Sequence, residues 1–539
     1  MVLNIIIRKG MILDGSGKDG FKADVGLLGD RIEIIGELSS YQAERIIDAS
    51  GLMVAPGFIN IHSHADITLF FHSHAYSSIC QGITTEATGQ CGYSLAPINE
   101  RNRGYYNDII AKWSYVEPKK IKMDWNSFGE LLSKYDEQEI GVNIAPFVGH
   151  GTVRSAVLGI EGEGGEKGWV NQEELTEMKE EVARCMREGA FGLSTGLMYP
   201  PGRNALTEEL LELCKVVASY GGIYMSHIRS EASLVVEAVK ELINISRTAA
   251  IPANISHHKA MNRENWGKVK DTLRLIDKAR AEGLEITHDA YPYTFTGASN
   301  LGQCFLPEDE HQEPERLVER LMDPETFDEM SEIAKEHNKK SGYPREFMSI
   351  AYSKNSPELV GMSLMEVAHM KETDWLTAAR ELYIKDGGQT VVAGIMSDDD
   401  LHAVMRHSMS MICTDSWAFE RSFDYRKPIH PRDHGTYPRL LGRYVREENI
   451  LTLEDAVRKI TYLPAKTLRL EDRGWIKEGA AADITIFNPN TIIDRSTFAE
   501  PVQYPVGIEY VLLNGTLALE GGKPTGALSG KVLKKRVSE

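Results

Sequence analysis

The chain has 539 residues, of which 42% are hydrophobic and 26% charged, a composition typical of a globular protein too long for one ordinary core. Its 60 basic and 78 acidic side chains give a formal net charge of −18, which argues against nucleic acid or anionic lipid as the main partner. No apolar run approaches the ~20 residues of a membrane span, and no basic leader with a cleavage site follows Met1. The six cysteines form no Cys-x-x-Cys pair, so a cytoplasmic protein is expected.

Both ends of the chain consist of short apolar segments separated by glycine-containing turns. In residues 1–55 the predicted strands are 3–8, 11–13, 24–28, 31–35, 45–48 and 52–54. Near the other end they are 483–487, 507–513 and 516–520. Two strand-rich ends around a different middle predict a small β-sandwich domain formed from residues 1–55 and 466–539.

The middle of the chain, residues 56–465, repeatedly places a short apolar strand before a longer amphipathic helix. The clearest predicted strands are 142–147, 191–194, 223–226, 253–256 and 285–290, and the helices between them are 173–188, 210–219, 234–249 and 266–281. This recurrence favours an α/β fold of the (β/α)8 TIM-like barrel type. The regularity breaks at about 300–347, and an insertion of this length is expected to stand over the barrel mouth like a lid.

Metal-competent side chains fall where several of the predicted strands end. His62 and His64 follow the first strand, and because alternate residues of an extended segment point the same way, both imidazoles can converge on one ion. Later strands end in further candidates: Cys91, His227, His257 or the adjacent His258, and Asp415. Since the active sites of barrels lie at the carboxyl ends of the strands, this set predicts a metal-dependent enzyme.

Each of these residue types also has a structural explanation. A single histidine at a strand end is more often hydrogen-bonded than metal-bound, and a lone cysteine usually fills a core. A second His-x-His, His72 and His74, precedes Cys91 without an intervening strand, so it is predicted to lie on the first helix, outside the site. The order of the candidates along the chain is nevertheless hard to obtain by chance.

Longer motifs connect these residues to a known family. They are Ala55-Pro56-Gly57-Phe58-Ile59, Gly82-Ile83-Thr84-Thr85, Gln90-Cys91-Gly92, residues 189–196 with Tyr199-Pro200-Pro201-Gly202, His227-Ile228-Arg229-Ser230-Glu231, Ser256-His257-His258-Lys259, His430-Pro431-Arg432, residues 435–439, and residues 503–505 with 507–511. On these motifs the chain resembles the amidohydrolase superfamily and, within it, the N-acyl-D-amino-acid deacylases (D-aminoacylases), essentially from end to end.

The resemblance implies a centre with one tightly bound zinc ion and a second, weaker metal position. The tight site would be formed by Cys91, His227 and His257, and the weaker one by His62, His64 and Asp415. It also selects His257 over His258. Cys91 stands where many relatives have a carboxylated lysine or a glutamate as bridging ligand, and a soft thiolate suits zinc. The segment Cys413-Thr414-Asp415-Ser416-Trp417 departs from the family pattern, so Trp417 is expected at the substrate pocket.

The activity implied is hydrolysis of N-acyl-D-amino acids to a carboxylate and a free D-amino acid. Asp415 is expected to be the general base toward a metal-activated water and then the general acid toward the leaving amine. Arg432, whose planar fork suits a carboxylate, and Tyr199 are expected at the substrate's α-carboxylate. Lys259 is expected at the acyl or side-chain end of the substrate.

Two other functions stay open at this point. The same centre would serve a cyclic amidase of the hydantoinase or dihydroorotase type, or a dipeptidase, although those relatives generally bridge their metals with a carboxylated lysine. A barrel that had lost its metal would instead be an assembly scaffold, which the retained ligand residues argue against. The partner of either enzyme is a small molecule, and the sequence does not indicate the oligomeric state.

Overall fold

The computed structural model describes residues 2–114, 123–160, 168–306, 313–340, 344–420 and 429–535. The strands are β1 Val2–Arg8, β2 Met11–Ile12, β3 Phe21–Lys22, β4 Asp24–Leu28, β5 Arg31–Gly36, β6 Gln42–Asp48, β7 Met53–Pro56, β8 Phe58–Asn60, β9 Ile83–Thr88, β10 Asn143–Pro146, β11 Val148–Gly149, β12 Gly192–Gly196, β13 Ile223–His227, β14 Ala253–Ile255, β15 Ile286–Ala290, β16 Ser299–Asn300, β17 Ser349–Tyr352, β18 Val391–Ala393, β19 Ser410–Ile412, β20 Ile484–Phe487, β21 Ile508–Leu513, β22 Thr516–Glu520 and β23 Lys523–Pro524.

The helices alternate with the strands of the middle region and follow one another in the later part of the chain. They are Ala65–Thr68, Tyr76–Ile79, Arg103–Ser114, Phe128–Gln138, His150–Leu158, Gln172–Glu188, Thr207–Ser219, Val235–Ala249, Val269–Ala281, Pro314–Met322, Pro324–Lys340, Leu364–Met370, Trp375–Lys385, Asp398–Arg406, Arg432–Arg439, the π-helix Leu440–Glu447, Leu453–Ile460 and Tyr462–Leu468. None of these helices combines the length and apolarity needed to cross a bilayer.

Local sequence explains where a typical helix begins and ends. At the helix Gln172–Glu188, the side chain of Asn171 accepts from the backbone N–H of Glu174, whose own carboxylate accepts from the N–H of Asn171. The other end stops at Gly189, which adopts a left-handed φ of 117°. Sequence predicted this helix as 173–188, one residue from the observed start.

Parallel strands form the centre of the molecule in two ladders. The first has the order β10-β9-β8 and the second the order β11-β12-β13-β14-β15-β19. Strands β10 and β11 are consecutive along the chain and only Phe147 separates them, so one ladder continues into the other. The outer ends also meet, because the N–H of Asp415 donates to the carbonyl of His62 at 3.1 Å. All carboxyl ends of these strands therefore lie at one edge.

A short tail, residues 530–535, lies in the gap between the two ladders at the opposite edge. The N–H of Gly530 donates to the carbonyl of Ile140 at 2.7 Å, and Val532 forms a parallel bridge with Ile144 of β10. The N–H of Lys535 donates to the carbonyl of Gly189, just before β12, at 3.0 Å. The tail thus pairs with β10 at the level of residue 189, which precedes the first residue of β12.

Strands from both chain ends share a second sheet. Its order is β23-β22-β21-β20-β7-β2-β3, and β20 pairs antiparallel with β7 so that Ile484 faces Pro56. A four-stranded sheet, β5-β4-β1-β6, packs next to it, and the two contribute Val25, Leu27 and Ile486 to one apolar cluster. The predicted strands of both ends are therefore present, and β7 joins them directly to β8.

The region after β15 has an apolar core of its own. A cluster running from Leu301 to Val392 joins the helices Pro314–Met322 and Pro324–Lys340 to the antiparallel sheet β16-β18-β17. The helix Pro314–Met322 begins with a proline, which is a favourable first residue. The inserted structure extends to β18, about forty-five positions further than the sequence pattern indicated.

Candidate functional site

The six residues predicted to bind metal converge at the carboxyl edge of the parallel strands. They lie after β8 (His62 and His64), after β9 (Cys91), at the end of β13 (His227), after β14 (His257) and after β19 (Asp415). The side chains are almost entirely enclosed; His62 is 0% and Asp415 9% exposed. Because neighbouring parallel strands end side by side, residues far apart in sequence form one cluster.

Cys91 is at the centre of this cluster. Its Sγ lies 3.2 Å from Nε2 of His62, 3.4 Å from Nε2 of His257 and 3.7 Å from Nδ1 of His227. Asp415 closes the other side, with its Oδ1 3.4 Å from Nε2 of both His62 and His64. The thiol therefore faces both predicted metal positions, as a bridging ligand must.

Three of the site residues have a backbone conformation that side chains rarely adopt. Cys91, His257 and Asp415 have φ values of 54°, 36° and 48°. Left-handed φ costs a non-glycine residue of order 1–3 kcal/mol and tends to occur where a functional side chain must be aimed. Each strand thus turns sharply as it ends and directs its side chain toward the common centre.

The donor atoms fit a zinc ion. With Zn–S near 2.3 Å and Zn–N near 2.0 Å, the ligand atoms of a tetrahedral site lie roughly 3.3–3.7 Å apart. The three distances from the Cys91 sulfur span this interval or fall just below it. Donor atoms of His62, Cys91, His257 and Asp415 all lie within 4.8 Å of one another. Thiolate and imidazole are ligands that zinc prefers.

Burial makes the site unfavourable for protonated histidine and for an uncompensated thiolate. Desolvation lowers the pKa of His227 to about 3 and holds the pKa of His62 well below its usual range. It also raises the pKa of the Cys91 thiol well above normal. A bound cation would offset the cost of the thiolate, and the neutral imidazoles are already in the form that binds metal.

Asp415 forms a buried ion pair with Arg432. Nη1 of Arg432 donates to Oδ2 of Asp415 at 2.8 Å, and the guanidinium lies over the ring of Tyr291 at 4.6 Å. Burial alone would raise the pKa of Asp415, but the Arg432 guanidinium holds that pKa well below its usual range. Asp415 is therefore ionised at neutral pH and can accept a proton through Oδ1.

The other two predicted substrate residues are occupied inside the protein. The hydroxyl of Tyr199 donates to the carbonyl of Cys91 at 3.0 Å, and its ring meets that of His227 edge-on at 5.1 Å. The amine of Lys259 donates to Oε1 of Glu231 at 2.5 Å. Both residues border the metal-ligand cluster, and Lys259 is only 7% exposed.

Three histidines outside the predicted set, His72, His74 and His258, are turned elsewhere. His258 points away from the cluster and its Nε2 lies 2.8 Å from the hydroxyl of Thr272. His72 and His74 lie in the turn between Ala65–Thr68 and Tyr76–Ile79, not on a helix as predicted, and Nδ1 of His74 lies 3.0 Å from Glu420.

Two acidic residues of the site were missed by sequence reasoning. Asp289 on β15 accepts from the N–H of His257 at 2.8 Å. Glu231 closes the motif that begins at His227 but was assigned no role, and its neighbour Arg229 binds Glu241 instead. Asp289 could have been found as an acidic residue at the end of a predicted strand. No comparable sequence signal indicated Glu231, which lies in the loop after β13.

Comparisons with known proteins agree with this geometry. A D-aminoacylase of Alcaligenes xylosoxydans xylosoxydans is 33% identical over 532 residues, covering 99% of this chain and 98% of its own. An N-acyl-D-glutamate deacylase of the same organism is 34% identical over 536 residues, covering 99% and 97%. The zinc-bound structure of the N-acyl-D-glutamate deacylase of Bordetella bronchiseptica superposes with a TM-score of 0.76 at 31% identity, covering 99% and 100%.

A sequence model of the amidohydrolase family matches residues 45–325 and 402–518. These ranges contain every strand that carries a predicted ligand, together with β20 and β21 of the sheet shared by the chain ends. The chain belongs to the amidohydrolase family.

Proposed function

We propose that the protein is a zinc-dependent hydrolase of N-acyl-D-amino acids that releases a carboxylate and a free D-amino acid. The observation that carries this proposal is the convergence of Cys91, four histidines and Asp415 at one edge of the parallel strands. Full-length relatives named for D-aminoacylase and N-acyl-D-glutamate deacylase activity support the substrate class. The partner is a small molecule, and the six free, buried cysteines favour a cytoplasmic location.

The fold that supports this activity is a (β/α)8 barrel within residues 56–465. Its strands would be β8, β9, β10 with β11, β12, β13, β14, β15 and β19. Residues 1–55 and 466–539 would form a β-sandwich from the two sheets that share an apolar cluster. The inserted region containing residues 300–347 would stand over the carboxyl edge as a lid.

Zinc would be held tightly by Cys91, His227 and His257, and a second, weaker metal position would use His62, His64 and Asp415. Bound zinc supplies Lewis-acid polarisation of the scissile carbonyl and lowers the pKa of a coordinated water to about 7. Burial keeps His62 and His227 neutral, bound zinc would offset the cost of the Cys91 thiolate, and the buried walls exclude bulk water from the site.

Asp415 is the group that moves protons in this proposal. Its Oδ2 is held by Arg432, so Oδ1 is left facing the cluster between His62 and His64. Oδ1 takes the proton of the attacking water and returns it to the departing nitrogen, which leaves as a neutral amine. One carboxylate can perform both transfers because it begins and ends the reaction ionised.

Arg432 and Tyr199 would receive the α-carboxylate of the substrate. The Nε of Arg432 is buried and, within the described residues, has no hydrogen-bond partner, so donor capacity remains after Asp415 is bound. Tyr199 lies beside His227, and its hydroxyl, which donates to the carbonyl of Cys91, would have to turn toward the carboxylate. With the carbonyl and the carboxylate both fixed, the enantiomers differ in where they place the side chain, and the space for that side chain distinguishes them.

The test combines metal content with chirality. Purified protein should contain at least one zinc per chain and hydrolyse N-acetyl-D-amino acids far faster than the L-enantiomers or hydantoins. Asp415→Asn should lower kcat by about 10²–10⁴-fold while the tight zinc is retained. Asp472→Asn, which alters an exposed ion pair with Arg31, is the control and should retain full activity. Full turnover by Asp415→Asn, or a preference for L-substrates or hydantoins, would refute the assignment.

A further inference from the structure

The carboxylate of Glu231 lies behind two of the proposed zinc ligands. Its Oε1 is 2.7 Å from Nδ1 of His257, and its Oε2 is 3.9 Å from Nε2 of His227. Glu231 is 4% exposed, so no bulk water competes for these contacts. Donor atoms of Glu231, His227 and His257 lie within 4.8 Å of one another.

The two histidines present opposite nitrogens to the cysteine. His257 faces Cys91 with Nε2, whereas His227 faces it with Nδ1. In each ring the nitrogen turned away from Cys91 is the one nearest Glu231. A neutral imidazole that binds metal through one nitrogen carries its proton on the other. Glu231 therefore lies where its carboxylate can select the required tautomer of His257. Nε2 of His227 lies nearer to Sδ of Met198, at 3.0 Å, than to Glu231.

Lys259 holds this carboxylate in place. Its Nζ lies 2.5 Å from Oε1 of Glu231 and 2.8 Å from Nδ1 of His257. When Nε2 of His257 faces the metal, Nδ1 carries the proton and cannot accept from the ammonium. Glu231 is then the acceptor for both groups, and Lys259 compensates a charge that would otherwise be buried alone.

We propose that Glu231 is the positioning residue of the zinc ligand His257 and that Lys259 acts through Glu231. This inference rests on the proposed zinc centre, and it gives Lys259 a role beside the expected contact with the substrate. Glu231 selects the tautomer and fixes the ring plane of His257 through the 2.7 Å contact with Nδ1. Carboxylates behind metal-bound histidines typically contribute 10–100-fold to metal affinity.

The experiment is zinc binding measured by competition with a chelator, without any substrate. Glu231→Gln should weaken zinc binding by about 10–100-fold, since the amide oxygen accepts less strongly from His257 and carries no charge to hold Lys259. Raising the free zinc concentration should restore much of the activity, because Glu231 does not touch the reacting atoms. Circular dichroism checks that the variant is folded. Should Glu231→Gln not accumulate folded, Glu231→Asp provides the same test, because the shorter side chain keeps the charge but withdraws it from Nδ1 of His257.

The neighbouring pair Arg229 and Glu241 provides the matched control. Glu241 binds Arg229 at 2.9 and 3.0 Å but contacts no proposed ligand, so Glu241→Gln should leave zinc affinity unchanged. Affinity within threefold of the native protein in both Glu231 variants would overturn the positioning role. Absence of stoichiometric zinc in the native protein would instead overturn the proposed function, so the two failures are distinguishable.

Discussion

Arg432 uses different parts of one guanidinium for different purposes. Nη1 binds Asp415, the face of the guanidinium packs on Tyr291, and Nε has no partner among the described residues. A lysine at this position would keep the positive charge but would lose the planar fork. The residue therefore links the proposed general base to the proposed carboxylate site.

Arg432→Lys should lower kcat/KM for N-acyl-D-amino acids by about 10–100-fold, the cost of one charge-assisted hydrogen bond. The same variant should have little effect on the slower hydrolysis of an N-acyl amine that lacks an α-carboxylate. Steady-state kinetics with the two substrates separates these effects. An equal loss on both would show that Arg432 acts through Asp415 alone.

Sequence reasoning located the site residues better than it assigned their partners. Placement of Cys91, His227 and Asp415 at strand ends follows from a regular pattern that the sequence displays. Which groups Lys259 and Glu231 contact depends on the rotamers of buried side chains from two different loops. No periodicity in the sequence encodes that choice.

At the scale of single elements, β9 carries a buried acid that connects three strands. Oε1 of Glu86 accepts from the hydroxyl of Ser78 at 2.6 Å, and Oε2 accepts from the amide of Asn60 on β8 at 2.6 Å. Asn60 in turn donates to Thr414, beyond β19, at 2.7 Å. Burial raises the pKa of Glu86 to about 7, although these hydrogen bonds oppose the shift.

A raised pKa in the folded state stabilises the protein below the unfolded value of 4.5, and that contribution is lost as the pH rises through about 7. Glu86→Gln keeps both contacts without a charge, since the amide can accept from Asn60 and donate to Ser78. The free energy of unfolding of the variant should therefore rise relative to that of the native protein as the pH increases from 4.5 to 8, by roughly 2–3 kcal/mol over the whole interval. Urea unfolding across this range measures the difference.

Glu212→Gln is a control for that measurement, because the native Glu212 changes the free energy of unfolding with pH in the opposite direction to Glu86. The carboxylate of Glu212 binds Lys215 and Lys179, and those hydrogen bonds lower its pKa. The contribution of Glu212 to stability is present above its unfolded pKa and is lost as the solution becomes more acidic. Stability curves of native protein and Glu86→Gln that stay parallel with pH would contradict the role given to Glu86.

Helix boundaries show where local sequence is sufficient. The capped helix Gln172–Glu188 was predicted to within one residue, whereas the helix predicted from 266 begins only at Val269. Gly267 has a φ of 89° and interrupts the helical backbone there. The inserted region was predicted too short because only the fold reveals that Leu301 and Val392 share one apolar cluster.

At the scale of the whole molecule, the tail 530–535 stabilises the edge of the parallel strands opposite the site. The N–H of Gly530 binds Ile140, and a Cβ on Gly530 would overlap the carbonyl oxygen of Val142. Sequence offered no signal for this contact, because it joins residues almost 400 positions apart without a regular strand pattern in the tail.

Gly530→Ala should lower the free energy of unfolding by about 1–3 kcal/mol, the usual cost of adding a methyl group where the backbone already packs closely. Gly36→Ala is the matched control, since a Cβ there has no neighbour within 4 Å. Urea midpoints measure the difference, and activity per folded molecule should stay within twofold of the native value because the site lies at the other edge. A midpoint for Gly530→Ala equal to that of Gly36→Ala would contradict the role of the tail.

Because strands from the two chain ends pair with each other, the N-terminal strands cannot complete their sheet until their C-terminal partners have been synthesised. The N–H of Ile35 binds Glu478, a partner 443 positions later in the chain. At about 5–20 residues per second, translation needs roughly 20–90 s to deliver that partner. Throughout that time the strands of residues 2–56 lack β20 and its neighbours, and β7 exposes an unpaired edge. We therefore expect the nascent protein to depend on chaperones until its last hundred residues emerge.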